Sequence, residues 1–209
     1  MPHYAGYVDF DAIVLAGGRS SRLGGTPKSG LIYDGATLLE RSVSAAGGAG
    51  RIVVVGPEPA DLPAGVLSCR EDPPFAGPAA AIAAGLAGLR RARAAGEGDA
   101  AMVLVLACDM PRAADAVRAL REAAVAAGSG SVMASSPDGR LQPLAGFYRT
   151  AALQRAVDDA EASGTLTHGS VFALLARLDV QAVTVPAGST DDVDTWDDAA
   201  ALGVAAREQ

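Results

Sequence analysis

The sequence predicts an α/β protein with a mostly parallel sheet and helices on both faces. Short runs rich in Val, Ile and Leu alternate with Ala- and Leu-rich stretches of helical periodicity, which is the pattern of βαβ units. Half of the residues are apolar but only 4% are aromatic, so small side chains must let the layers pack closely. We expect the 209 residues to form a single domain, with residues 1–9 as a frayed N-terminal extension.

The first third of the chain contains one βαβ unit. Residues 11–16 form the first predicted strand, because they are a β-branched run that ends at a glycine pair. A glycine-rich loop over residues 17–30 follows. Helical spacing then predicts a helix over 37–46, which three glycines separate from a strand over 51–55.

The middle of the chain supplies the strand that we expect at the centre of the sheet. A strand over 66–69 leads through a proline-rich turn into a helix over 78–93, whose first turn tolerates Pro78. Residues 101–107 are apolar throughout, as in a strand covered on both faces. Asp109 follows the end of that strand.

The last third of the chain continues the alternation of strands and helices. A final helix is expected to begin at Thr195, because Thr195 and Asp198 have the spacing of a capping box. The other predicted elements are helices over 113–127, 151–160 and 170–176 and strands over 131–135, 143–148 and 180–185.

Charge and composition exclude several classes of partner. The net charge of −7 argues against a nucleic-acid surface, which needs a basic stripe. The sequence has no signal peptide and no 18-residue apolar span, so we expect no membrane contact. Its two cysteines lack CxxC spacing, which favours a soluble, reduced protein of the cytoplasm.

The loop after the first strand has the composition of a polyphosphate site. Residues 15–28 read LAGGRSSRLGGTPK, with four glycines and the cations Arg19, Arg22 and Lys28. Glycines let backbone N–H groups turn toward an anion, and the cations can neutralise it. The spacing fits neither a Walker A loop nor a GxGxxG fingerprint. The alternative is a flexible turn with solvated arginines.

Lys28 stands out by its residue type. Sixteen of the seventeen basic residues are Arg, and Lys28 is the one Lys. An ammonium is a compact charge that fits among phosphate oxygens, whereas a guanidinium is a wide fork. We therefore interpret Lys28 as a phosphate ligand, the alternative being chance retention in a surface loop.

Two aspartates are candidate magnesium ligands. Asp109 directly follows a buried strand, so the sheet would fix its carboxylate at the open crevice, although it could also cap the next helix. An acidic cluster precedes the last helix and is mostly a solvated helix start; within it, Asp194 is our candidate for a second ligand. Asp72, in the proline-rich turn, could contact a base edge or cap the turn.

The motifs together resemble the molybdenum cofactor nucleotidyltransferases, within the NTP-transferase-like superfamily. The resemblance implies a GT-A-like fold of three layers and Mg²⁺-dependent nucleotidyl transfer. It spans nearly the whole chain in five segments: residues 15–28, 71–85 (EDPPFAGPAAAIAAG), 106–111 (LACDMP), 142–149 (QPLAGFYR) and 192–199 (DVDTWDDA).

The resemblance also implies roles for single residues. Lys28 would bind the phosphates. We expect Lys28 and Asp109 to serve catalysis together with Arg22, whose role we infer from the charge of the loop. Asp109 would hold Mg²⁺, assisted by Asp194. The nucleotide would be contacted by these further residues: Leu15, Ala16, Gly17, Gly18 and, on its guanosine portion, Asp72.

The implied reaction moves GMP from GTP to the terminal phosphate of molybdopterin. Paired Gly17-Gly18 resembles guanylyl-transferring members, but Leu23 and Pro27 replace their usual Met and Asp. A CTP-using enzyme, or one acting on a sugar or hydroxy-acid phosphate, therefore stays an alternative, and so does a nucleotide-binding regulator without activity. Molybdoenzymes or cofactor chaperones would be the protein partners that receive the product.

Overall fold

The computed structural model describes residues 8–57, 62–128 and 130–207. Within these residues the strands are β1 (Phe10–Leu15), β2 (Ile32–Tyr33), β3 (Ala36–Thr37), β4 (Ile52–Val55), β5 (Leu67–Cys69), β6 (Met102–Ala107), β7 (Ser131–Ser135), β8 (Leu141–Arg149) and β9 (Val180–Thr184). The α-helices are α1 (Leu38–Ala45), α2 (Pro78–Arg91), α3 (Ala113–Ala126), α4 (Thr150–Ala162), α5 (Val171–Leu175) and α6 (Trp196–Leu202).

Seven strands form the main sheet, in the order β5-β4-β1-β6-β8-β7-β9. All neighbouring pairs are parallel except those of β8, which runs antiparallel to both β6 and β7. The prediction of a mostly parallel sheet is confirmed. The reversed strand β8 is longer than the predicted strand over 143–148 and includes Pro143. Its pairing with β7 shifts register between Met133 and Ala134.

Helices cover both faces of this sheet, as predicted. The side chains of Ile13, Val53 and Val105 point to the face that packs against α2, α4 and α5. The alternate residues of the same strands pack against α1 and α3 on the other face. Because a strand's side chains alternate between faces, the continuous apolar runs of β1, β4 and β6 supply both cores.

The predicted elements are present, with ends shifted by a few residues. Thr195 caps α6, and both hydrogen bonds of its capping box with Asp198 are formed. The sequence analysis missed a short hairpin of β2 and β3. Its turn residues Asp34 and Gly35 both have positive φ, and an Asp-Gly pair is the usual signal for such a turn.

The described part of the chain begins at residue 8. The side chain of Val8 is buried, and the Asp9 carbonyl accepts a hydrogen bond from the Met102 N–H. Residues 1–7 of the predicted extension lie outside the described residues. In the described part of the chain, no helix is long and apolar enough to cross a membrane. Both cysteines are free.

A small apolar cluster, which we call the loop core, joins the glycine-rich loop to the C-terminal segment. It buries side chains from the loop, from the start of α1 and from around α6: Leu23, Leu31, Leu38, Val193, Ala199 and Val204. Ile32 and Ala205 also exchange backbone hydrogen bonds of 2.8 and 2.9 Å. The loop core therefore fixes the loop against the segment that carries Asp194.

The close contact between α2 and β1 predicts that alanine substitutions at two glycines of α2 change the stability of the protein by different amounts. A Cβ on Gly85 would lie 2.6 Å from Ile13 Cγ2, whereas on Gly88 the nearest atom would be Val53 Cγ2 at 3.2 Å. We expect Gly85→Ala to lower the free energy of unfolding by about 1–2 kcal/mol, because overpacking outweighs the gain in helix propensity. Gly88→Ala should be close to neutral. Thermal denaturation compares the two, and equal stability would contradict this packing.

Candidate functional site

A cavity of about 350 Å³ opens at the carboxyl ends of the parallel strands. Leu15 and Ala107 end β1 and β6 and lie at its wall. This is the place where open α/β sheets bind ligands. The other lining residues come from the glycine-rich loop, from the turn before α2 and the start of that helix, from the segment after β6 and from β8: Gly17, Gly18, Arg19, Lys28, Glu71, Phe75, Gly77, Pro78, Ala81, Cys108, Asp109 and Leu144.

The glycine-rich loop leaves β1 in a conformation that depends on glycine. Gly18 has φ +137°, a region that side chains with a Cβ rarely adopt. The backbone N–H groups of Gly17 and Gly18 donate no hydrogen bond within the described part of the chain. The loop then forms two 3-10 turns, Ser21–Leu23 and Lys28–Gly30. It thus offers free backbone donors at the cavity wall, as an anion site requires.

The Lys28 ammonium joins two carboxylates that are distant in sequence. Its Nζ donates a hydrogen bond of 2.9 Å to Asp109 Oδ2 and one of 2.5 Å to Asp194 Oδ1. The Lys28 side chain is only 19% exposed. Burial alone would lower the pKa of Lys28, but the charges and hydrogen bonds of Asp109 and Asp194 outweigh it and raise the pKa above its ordinary value. Lys28 is therefore firmly cationic at neutral pH.

Backbone contacts and the cap of α6 hold Asp194 at this position. The Val193 N–H donates a 3.0 Å hydrogen bond to the Asp109 carbonyl, which ties the C-terminal segment to the end of β6. Asp198 Oδ2 accepts from the N–H groups of Asp194 and Thr195. The capping box that the sequence predicted thus also orients the residue before it.

Three carboxylates of this region could share one metal ion. Asp109, Asp192 and Asp194 each offer an oxygen, and these oxygens lie within 4.8 Å of one another. Such hard oxygen donors suit Mg²⁺. Burial, followed by the nearby charges of Asp109 and Asp194, raises the pKa of Asp192. The sequence analysis chose Asp194 from the acidic cluster, and the structure brings Asp192 to the same place.

Most residues that the sequence singled out meet here. Leu15, Gly17, Gly18, Lys28 and Asp109 line the cavity, and Asp194 joins them through Lys28. The Arg22 guanidinium is 3.7 Å from Asp194 Oδ2.

Two of the predicted nucleotide contacts lie outside the cavity wall. Ala16 uses its N–H to bond the Val55 carbonyl at 2.8 Å and is not among the lining residues. Asp72 is exposed at the surface, at the cis peptide bond that it forms with Pro73. Their roles stay predictions.

Sequence analysis missed two residues at the wall after β5. Glu71 lines the cavity and is only 8% exposed, and Phe75 lies close to it in the same turn. The signal for Glu71 was available, because it is an acidic residue just past a strand end, as Asp109 is. A cavity of similar volume between α4 and α5 lies away from the strand ends and from the Lys28 ammonium.

A close backbone contact under the glycine-rich loop predicts that residue 56 must be Gly. A Cβ on Gly56 would lie 2.8 Å from the Ala16 carbonyl carbon and from the Gly17 nitrogen, and its φ is +156°. We expect Gly56→Ala to destabilise the protein by about 1–3 kcal/mol and to displace residues 16–18. Thermal unfolding and amide chemical shifts would measure both effects. Gly98→Ala is the control, since nothing lies within 4 Å of its Cβ; equal behaviour would contradict the contact.

Solved structures of three proteins share this fold over most of their length. Rv0371c from Mycobacterium tuberculosis H37Rv has a TM-score of 0.67 at 22% identity, covering 93% of this chain and 97% of its own. Molybdopterin-guanine dinucleotide biosynthesis protein A from Archaeoglobus fulgidus has a TM-score of 0.65 at 19% identity, covering 92% of this chain and 96% of its own. The 2-C-methyl-D-erythritol 4-phosphate cytidylyltransferase of Francisella tularensis has a TM-score of 0.69 at 14% identity, covering 93% of this chain and 98% of its own.

These similarities confirm the predicted nucleotide-diphospho-sugar transferase-like fold. No curated protein matches the sequence. The model of one family, described as the MobA-like NTP transferase domain, matches residues 12–183, which include the glycine-rich loop, Glu71 and Asp109. The chain therefore belongs to the family of MobA-like NTP transferase domains.

Proposed function

We propose that this protein is a cytoplasmic, Mg²⁺-dependent nucleotidyltransferase that moves GMP from GTP to the terminal phosphate of molybdopterin. One observation carries the proposal: the Lys28 ammonium meets Asp109 and Asp194 beside the glycine-rich loop. A triphosphate needs cations and backbone donors on one side and a divalent ion on the other. Lys28 and Asp109 line one cavity, and Asp194 adjoins it through Lys28.

The carboxylates of Asp109 and Asp194 would hold the metal ion, with Asp192 as a third ligand. The bound ion would neutralise phosphate charge and orient the α-phosphate. Lys28, Arg19 and Arg22 would bind the remaining phosphate oxygens, helped by the N–H groups of the loop. These three cations all belong to the glycine-rich loop, and they would neutralise the negative charge of the departing pyrophosphate.

The chemistry needs alignment more than it needs a general base. A phosphate oxygen of the acceptor attacks the α-phosphorus in line, the new P–O bond forms, and the bond to the β-phosphate breaks. Pyrophosphate leaves with that electron pair. Since a phosphate monoester is already anionic near neutral pH, no side chain has to remove a proton. We therefore assign no role as a general base to His168. Its side chain is exposed, and its described hydrogen bond runs from its backbone N–H to the Ala76 carbonyl.

Base and acceptor are the finer part of the proposal. Gly17-Gly18 and the five motifs favour GTP and molybdopterin, and Asp72 would contact the guanosine portion. The rival is a CTP-using relative, or one that acts on a sugar or hydroxy-acid phosphate. Pyrophosphate release should be measured with four nucleotides against molybdopterin and 2-C-methyl-D-erythritol 4-phosphate, and the product identified by mass spectrometry. A guanine dinucleotide of molybdopterin is the expected product.

A nucleotide-binding regulator is the second candidate from another class. It would use the same cavity to bind GTP but would transfer nothing. GTP binding without Mg²⁺-dependent pyrophosphate release, across both acceptors, would favour it. Family membership and the three clustered carboxylates favour the enzyme.

Removal of the charge of either Asp109 or Lys28 should slow turnover strongly. We expect Asp109→Asn and Lys28→Met each to lower kcat by roughly 10² to 10³, the usual cost of a lost electrostatic stabiliser. Pyrophosphate release with GTP and Mg²⁺ is the measurement. Asp158→Asn is the matched control, since Asp158 is an exposed carboxylate on α4 and should leave turnover unchanged. Full Mg²⁺-dependent activity of Asp109→Asn would refute the metal assignment.

Lys28 should also couple metal binding to nucleotide binding. Its ammonium lies between Asp109 Oδ2 and Asp194 Oδ1, so a divalent ion that binds these two oxygens would displace it. A triphosphate gives the ammonium another partner. We therefore expect GTP to tighten Mn²⁺ binding to the wild-type protein about tenfold or more, within the usual range of coupling between sites.

The variant Lys28→Met tests whether the metal ion has to displace the Lys28 ammonium. Without nucleotide, Lys28→Met should bind Mn²⁺ more tightly than the wild type, as measured by electron paramagnetic resonance of free Mn²⁺. The coupling to GTP should shrink in the same variant. Unchanged or weaker Mn²⁺ binding by Lys28→Met would contradict the displacement.

A further inference from the structure

Phe75 is an exposed aromatic side chain at the cavity wall. It is 37% exposed in a chain that has only four Phe, four Tyr and one Trp. It lies in the turn between β5 and α2 and lines the same cavity as Lys28 and Asp109. An exposed aromatic ring in a ligand cavity is typical of a binding surface.

The backbone of Phe75 is held in an unfavourable conformation. Its φ is +63°, in the left-handed region that costs a residue with a Cβ free energy. Glu71 Oε1 accepts a 2.9 Å hydrogen bond from the Phe75 N–H and so stabilises the turn. Glu71 is itself buried, and its Oε2 has no hydrogen-bond partner among the described residues. A buried carboxylate thus fixes an exposed ring, which indicates that the ring's position matters.

Two guanidinium groups flank the ring. The Cζ atoms of Arg19 and Arg70 lie 5.4 and 5.3 Å from its centroid, at cation–π distance. Arg19 belongs to the glycine-rich loop and also lines the cavity. The ring is therefore connected to the predicted phosphate-binding loop, yet part of its surface stays open to the cavity.

The strand that precedes Phe75 and the strand that precedes Asp109 are not neighbours in the sheet. Phe75 follows β5 and Asp109 follows β6, and β4 and β1 lie between these strands. Three interstrand steps of about 4.8 Å separate β5 from β6 by roughly 14 Å. If the triphosphate lies at Lys28 and Asp109, the wall around Phe75 is a part of the same cavity that is available to the base. A planar base is the part of a nucleotide that an aromatic ring recognises.

We propose that Phe75 is the platform on which the nucleotide base stacks, and that Glu71 is the positioning residue that holds it there. The inference rests on the proposed function, because it requires a nucleoside triphosphate in this cavity. Stacking accepts any base, so Phe75 adds affinity, and hydrogen-bonding groups elsewhere in the cavity select the base.

The test compares a ligand that has a base with one that lacks it. Binding of GTP and of inorganic triphosphate, each with Mg²⁺, is measured by calorimetry; CTP replaces GTP if the nucleotide comparison selects it. Phe75→Ala should raise the Kd for the nucleotide about tenfold or more and leave the Kd for inorganic triphosphate unchanged. Phe75→Tyr should bind both as the wild type does. Phe172→Ala is the control, because Phe172 is 52% exposed on α5, away from the cavity.

Glu71 variants test the positioning role. Glu71→Ala should weaken nucleotide binding as Phe75→Ala does, whereas Glu71→Gln keeps an oxygen that accepts from the Phe75 N–H and should rescue it. If Glu71→Gln weakens nucleotide binding as strongly as Glu71→Ala, the carboxylate does more than hold the turn, and the positioning role is overturned.

The outcomes for Phe75 also separate this inference from the proposed function. Equal weakening of both ligands by Phe75→Ala, or weakening of neither, would overturn the platform while nucleotide binding by the wild type stands. If the wild-type protein binds neither ligand, the proposed function fails first.

Discussion

The ammonium of Lys28 lies between two carboxylates that are 81 and 166 residues away in the sequence. Asp109 and Asp194 repel each other, and bringing them together in a half-buried place is costly without a cation between them. The loop core and the backbone bond from Val193 to Asp109 hold the segments in register. The rest of the site depends on this arrangement, because the Lys28 contacts join the glycine-rich loop to the segment after β6 and to the C-terminal segment.

Part of this site was predictable because short segments encode it. A buried apolar strand that ends at Asp109 places a carboxylate at the crevice in any parallel sheet. The capping box of Thr195 and Asp198 is likewise local, and it fixes Asp194. Lys28 was recognisable by its rarity in an arginine-rich chain.

The remaining features depend on contacts that the periodicity of the sequence does not contain. The left-handed backbone of Phe75 follows from its bond to Glu71, and nothing in the pattern of apolar residues indicates it. The reversed direction of β8 comes from its pairing with β6 and β7. Glu71 and Asp72 both follow β5 as acidic residues, and the conformation of the turn places Glu71 at the cavity wall; the role of Asp72 stays a prediction.

The fold itself does not determine the base or the acceptor. Solved structures named for guanine dinucleotide synthesis and for cytidylyl transfer both share it with this chain. In this chain the cavity wall combines charged side chains, among them Lys28 and Asp109, with the apolar side chains of Phe75, Pro78 and Leu144. A nucleotide likewise combines a charged part with a planar part.

The most direct test of the account is a crystal structure with Mg²⁺ and a GTP analogue whose α,β-bridging oxygen is replaced by methylene. The account predicts that Lys28 Nζ has left Asp109 and Asp194 for the phosphates, that the metal ion lies on those two carboxylates, and that the triphosphate crosses Gly17 and Gly18. A nucleotide bound elsewhere, with the contact between Lys28 and Asp109 intact, would contradict it.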